Sequence, residues 1–151
     1  EVSVQNAEGR PQSSFRSTDS VFVSTCFKVS RWANDVRVVV RLVDDLNQEM
    51  LLTQTVDDES EAQNPHKDPG TYLATVQLPS NLFGSRRYYV SISLSSSKNE
   101  EIHLNRVLHF DVEFQTYNNV HYGAGTQSFF RPRLTWRVGM VDGALLPSTP
   151  E

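Results

Sequence analysis

Hydrophobic side chains recur at every second position through most of the chain, and the 3.6-residue period of an amphipathic helix is almost absent. Val21, Val23, Thr25, Phe27 and Val29 line one side of a strand. Val36, Val38, Val40 and Leu42 line another, with Arg37, Val39 and Arg41 on its reverse. A turn at 44–47 leads to a strand over 49–55. The same alternation returns in Tyr72, Ala74, Val76, Leu78, then in Tyr88, Val90, Ile92, Leu94, then in Leu108, Phe110, Val112, Phe114. A last strand is expected over 131–138, with Leu134 and Trp136 on its apolar, core-facing side, and a short first strand over 2–6.

About eight strands punctuated by turn formers such as Asp68-Pro69-Gly70 predict an all-β fold. The architecture expected is an antiparallel two-sheet β-sandwich with immunoglobulin-like or jelly-roll connections, a closed barrel being the alternative. The acidic segment 56–70 reads as a mobile loop and 115–130 as a long polar and aromatic connection. One domain is expected over 1–151, its ordered core over 2–138 and a flexible tail over 139–151.

Composition narrows the functions this fold serves. At 151 residues with 38% hydrophobic content, the chain can bury a core. Its net charge of -4 disfavours a nucleic-acid surface, which needs a clustered positive field. The single Cys26 allows no internal disulfide and reads as an inert strand thiol. No apolar run approaches the roughly 20 residues of a membrane span. The start at Glu1, without Met or a signal pattern, reads as a domain excised from a larger protein of a reducing compartment.

Catalytic signatures are missing: the sequence has neither a phosphate-binding P-loop nor a Gly-x-Ser-x-Gly elbow, and 123–125 is half a dinucleotide fingerprint. His103, His109, Asp111 and Glu113 share strand parity and hence a face. That face is read as solvated and polar, with no metal and no cofactor, and a small hydrolase built on His109 and Asp111 is a minority alternative.

Three stretches carry a resemblance. Val2-Ser-Val-Gln-Asn6 precedes a polar loop containing Phe15 and an acidic strand start at Asp19. Gly70-Thr71-Tyr72 leads to Leu78-Pro79-Ser80-Asn81-Leu82-Phe83-Gly84, followed by alternating Tyr88, Val90, Ile92 and Leu94. Val107-Leu108-His109-Phe110 continues through Val112 and Phe114 to a closing Arg133-Leu134-Thr135-Trp136. Taken in order, over about residues 2–138, this series resembles the C-terminal domain of Wzt, the ATP-binding subunit of ABC transporters that export lipopolysaccharide O-antigen. The resemblance implies a non-catalytic carbohydrate-binding module. It would recognise the modified non-reducing end of an O-antigen polysaccharide and commit the chain to export. It also implies an ATPase domain upstream in the same chain, a transporter membrane subunit as partner and a place at the cytoplasmic face of the bacterial inner membrane. Homodimers paired in part through the last strand complete the expectation. The long acidic stretch 56–70 departs from the family pattern.

If the strands follow immunoglobulin order, those over 35–43, 49–55, 87–95 and 104–114 form one sheet. Its outward side gathers the candidate carbohydrate-binding residues Arg37, Arg41, Gln54, Tyr89, Ser91, His109 and Asp111, with Val39, Ser93 and Glu113 beside them. An aromatic ring suits the C–H face of a sugar, and planar polar groups suit its hydroxyls. Two arginines suit an anionic sugar end. The competing expectation is that Arg37 and Arg41 only pair across the sheet with Asp111 or Glu113. Tyr117, His121 and Tyr122 form a second candidate site in the long connection. A ligand-free interaction and dimerisation sandwich is the alternative function.

Overall fold

A computed structural model describes residues 1–97, 101–115 and 128–140. Among the described residues eight strands form two sheets. One runs in the order β1 (Val2–Gln5), β3 (Val21–Val29), β6 (Gly70–Leu78). The other runs β2 (Ser14–Arg16), β8 (Glu101–Glu113), β7 (Arg86–Ser95), β4 (Arg37–Val43), β5 (Glu49–Gln54). The chain is therefore an all-β sandwich of immunoglobulin-like strand order rather than a closed barrel. The four strands expected to share a sheet do so. Pairing is antiparallel except between β2 and β8, which run parallel with Phe15 opposite Val112.

Alternation has its expected physical consequence. Val38, Val40 and Leu42 of β4, Tyr88, Val90 and Ile92 of β7, and Phe110 and Val112 of β8 are buried against Val21 and Val23 of β3. Rings organise one end of this core. Tyr88 stacks on Phe110 at 5.4 Å, Phe83 lies 4.9 Å from Tyr88, and Phe15 meets Phe110 edge-on at 5.9 Å. Each such ring contributes about 2–3 kcal/mol by leaving water. The Tyr88 hydroxyl reaches back to the Gly84 carbonyl at 2.9 Å, the tyrosine corner at the start of the corresponding immunoglobulin strand.

Residues 128–131 latch onto this end. Gly84 N–H donates to the Phe129 carbonyl at 3.0 Å and Arg131 N–H to the Leu82 carbonyl at 2.9 Å. Arg86 covers the Phe129 ring at 3.9 Å and Arg131 the Phe114 ring at 4.0 Å. Beyond the latch the expected last strand departs from expectation. Residues 131–138 form no strand, and Trp136, expected in the core, is 83% exposed. Alternation marks a strand-forming segment; here the sandwich offers it no inner surface. The sheet edge beside β8 is held by β2, whose three residues are too few for alternation to show.

The segment 56–70 is more ordered than its composition predicts. It forms a 3-10 turn (Thr55–Asp57) and one short helix, α1 (Glu59–Gln63), whose N-terminal amides of Ser60 and Glu61 are capped by the Asp58 side chain. Backbone hydrogen bonds in both directions between Ala33 and Lys67, each 3.0 Å, tie it to the end of the sandwich. It lies between β5 and β6, each an edge strand of its sheet, and residues of both flank a cleft of about 820 Å³ that opens on the core. Thr25, 5% exposed, lines it, and its hydroxyl has no hydrogen-bond partner.

Candidate functional site

The outward side of the five-stranded sheet holds the expected candidates, and the strand registers place them in rows. Gln54 and Val39 continue into Ser93 and His103; Leu52 and Arg41 continue into Ser91. Val43, Tyr89 and His109 form the next row, and Arg87 and Asp111 the one after. Four strands at about 4.8 Å spacing put β5 and β8 about 14 Å apart. Gln54 on β5 therefore lies across the sheet from His109 and Asp111, while Arg37, opposite Ser95, lies six positions of β7 from Tyr89, and the seven candidates do not converge on one point.

The arginines find partners other than those expected. Arg37 forks onto Asp35, with Nε to Oδ1 at 3.0 Å and Nη2 to Oδ2 at 3.1 Å. The left-handed backbone at Asp35, φ 54°, folds its carboxylate back along the same strand. Arg41 pairs with Glu49 at 3.3 Å. Asp111 is gripped by Arg87 at 2.8 and 3.0 Å, directly across the β7–β8 ladder. Neither Arg37 nor Arg41 pairs with Asp111 or Glu113. The Arg87 hydrogen bond holds the Asp111 carboxyl below the usual carboxylate range. The same bond pushes Arg87 further above its own usual value.

A polar relay crosses the sheet below Tyr89. Arg41 Nη1 donates to Ser93 Oγ at 2.9 Å, Ser93 Oγ lies 2.9 Å from His103 Nδ1, and His103 Nε2 lies 3.0 Å from Glu101. The Glu101 carboxylate can only accept, so His103 presents Nε2–H to it, and in the neutral ring Nδ1 is then the acceptor for the Ser93 hydroxyl. His103 shares the face of His109, as parity requires, but four positions of β7 separate the residues opposite them, Ser93 and Tyr89. Among the described residues no group of three or more His, Cys, Asp or Glu is placed to hold a metal ion.

The feature missed by alternation lies in β8. Ile92 faces Leu104 while Val90 faces Leu108, so β8 carries two extra residues opposite Ser91. Arg106 sits in this bulge at φ 49°. Its guanidinium lies 3.8 Å over the Tyr89 ring, and His109 approaches the same ring with a centroid distance of 6.0 Å. Ser91, 8% exposed, is not an accessible polar group as expected. Its Oγ accepts from Arg106 N–H at 2.9 Å and donates to Asn105 Oδ1 at 3.2 Å, which holds the bulge closed.

Other candidates fall elsewhere. Cys26 is half-buried on the outer side of β3, and Tyr117, His121 and Tyr122 lie outside the described residues. No described helix is long and apolar enough to cross a membrane.

No family model matches the chain, and no curated protein matches it. A solved structure, the C-terminal domain of Wzt, superposes with a TM-score of 0.67 at 12% identity, covering 93% of this chain and 81% of that one. What is shared at this identity is the fold. A structural-genomics target, SoR45, aligns over 83% of the chain with a TM-score of 0.31 and carries no argument.

Proposed function

We propose that this chain is a non-catalytic carbohydrate-binding domain of an O-antigen ABC transporter. Its outward sheet face would engage the modified non-reducing end of the polysaccharide and commit it to export. The observation that carries the reading is the sandwich fold, shared over 93% of the chain with the Wzt C-terminal domain. The face itself supplies suitable chemistry: imidazole, carboxylate and guanidinium groups beside Tyr89 and the exposed apolar Leu52. On this reading 1–151 is one binding domain, joined to an ATPase domain of the same polypeptide and working with a membrane subunit at the cytoplasmic face of the inner membrane.

Calorimetric titration with the cognate O-polysaccharide, intact and with its terminal modification removed, tests the reading. Selective binding of the intact polymer is expected; equal binding of both, or binding of neither, refutes it.

Pairing of two copies through 131–138 is the second part of the proposal. That segment alternates Arg131, Arg133 and Arg137 with exposed Leu134, Trp136 and Val138. Sedimentation should show a dimer that Leu134→Ser with Trp136→Ser converts to monomer; an unchanged mass refutes this route. The alternative, a ligand-free dimerisation domain, is favoured by the internal pairing of Arg37, Arg41 and Asp111. It requires that the parent chain bind no glycan and that export survive alanine at Arg37, Arg41 and Tyr89.

A further inference from the structure

We propose that Arg106 is the oxyanion-reading residue of the outward face, binding a phosphate or carboxylate group carried on a saccharide. The inference rests on the carbohydrate-binding reading and deepens it.

Unbroken alternation would point Arg106, between Leu104 and Leu108, into the core. The two-residue bulge turns it out instead, at the expense of a left-handed backbone that non-glycine residues rarely adopt. Bulges of this kind re-aim a side chain, and Ser91 clamps this one through both Arg106 N–H and Asn105 Oδ1. The guanidinium is held flat by Tyr89 at 3.8 Å, which occupies one of its faces and leaves the N–H groups around its edge for a ligand.

Charge pairing separates Arg106 from its neighbours. Arg37, Arg41 and Arg87 each already grip a carboxylate, on Asp35, Glu49 and Asp111. Among the described residues Arg106 has no ion pair; its contacts are the Tyr89 ring and, through its backbone, Ser91. A preordered planar fork without an internal counter-charge is suited to bidentate recognition of an oxyanion, and His109 beside the same ring can add a donor.

The test is amide-resolved NMR titration of the whole chain with glucose 1-phosphate, neutral glucose and inorganic phosphate. Glucose 1-phosphate should saturate in the millimolar range, shifting the amides of Tyr89, Ser91 and 105–109, and glucose should not. Arg106→Asn should weaken it at least tenfold with the remaining spectrum unchanged, because Asn tolerates positive φ and preserves the bulge. Arg106→Lys, which keeps the charge without the fork, should fall between. Binding by Arg106→Asn within twofold of the parent, or shifts centred on Arg41 and Ser93, overturns the assignment. Inorganic phosphate binding as tightly as the sugar phosphate overturns the saccharide as source. The two readings also fail separately. If the polysaccharide does not bind while glucose 1-phosphate still binds through Arg106, the transporter reading falls and the assignment stands. If the polysaccharide binds parent and Arg106→Asn equally, the reverse holds.

Discussion

Replacing Gly84 by Ala should unfasten the C-terminal segment from the sandwich. A Cβ at Gly84 would run into the backbone carbonyl of Ser128, which no rotamer change relieves. The 128–131 segment must therefore move away, taking with it the Gly84–Phe129 and Arg131–Leu82 backbone hydrogen bonds, the Phe83–Phe130 ring contact at 6.2 Å, and the Arg86–Phe129 and Arg131–Phe114 contacts. The Tyr88 hydroxyl also loses the Phe129 carbonyl at 2.7 Å but keeps that of Gly84, so little is counted for it. Two hydrogen bonds at about 1 kcal/mol net each, one ring contact and two cation–π contacts at about 0.5–1 kcal/mol each put the loss near 4 kcal/mol. Ala recovers up to about 1 kcal/mol through the unfolded chain, leaving about 3 kcal/mol. An unfolding entropy of about 2.1 cal/mol/K per residue over 151 residues converts this to a Tm lowered by about 9 °C. Gly139→Ala is the control, since a Cβ there meets nothing within 4 Å, and its Tm should hold within about 1 °C. Scanning calorimetry measures both, and limited proteolysis should cut Gly84→Ala near 131–140 first. A Gly84→Ala melting point indistinguishable from that of the control would refute the latch.

Ser93→Ala removes the centre of the Arg41–Ser93–His103 relay and should cost about 1–2 kcal/mol in urea unfolding, with the m-value unchanged. Asp111 is held below its usual pKa, so its pairing stabilises above the unfolded value of about 3.9 and is lost as pH falls through the folded value. Asp111→Asn should therefore flatten the stability curve below about pH 4, and an unchanged acid limb would count against the pairing. Burial raises the Tyr88 phenol pKa, so its contribution is full below about pH 10 and lost as pH rises through the folded value. Ultraviolet titration of the folded protein should show a late-ionising phenol that Tyr88→Phe removes; a titration curve unchanged in its late part by that substitution would count against the burial.

Where side chains alternate toward a common core, the sequence was enough: β3, β4, β6 and β7 were readable because Val, Leu, Ile and Tyr mark every second position. The sheet partnership of β4, β5, β7 and β8 followed from immunoglobulin order. Side-chain pairing did not follow, because it depends on local backbone and register. Asp35 reaches Arg37 through a positive φ, and Arg87 owes Asp111 to being its opposite number in the ladder. Strand 131–138 showed the limit of alternation, which reports that a segment is amphipathic without saying which surface receives it. Arg106 is hidden for a subtler reason: an insertion of two residues leaves the parity on either side unchanged, and its one trace in the sequence is an arginine at a position that alternation assigns to the core.

That same arithmetic makes the β8 bulge a removable part. Excising Asn105 and Arg106 would join Leu104 to Val107, set Val107 opposite Ser91, and leave Ile92–Leu104 and Val90–Leu108 as they are. The ladder would become continuous, every core residue would keep its inward orientation, and only the stacked guanidinium would vanish. An insertion of one residue would instead turn half a strand inside out. The sheet thus has a position where a two-codon gain or loss exchanges a surface group at little cost to the core. A related domain could change what it reads there without rebuilding the sandwich that carries it.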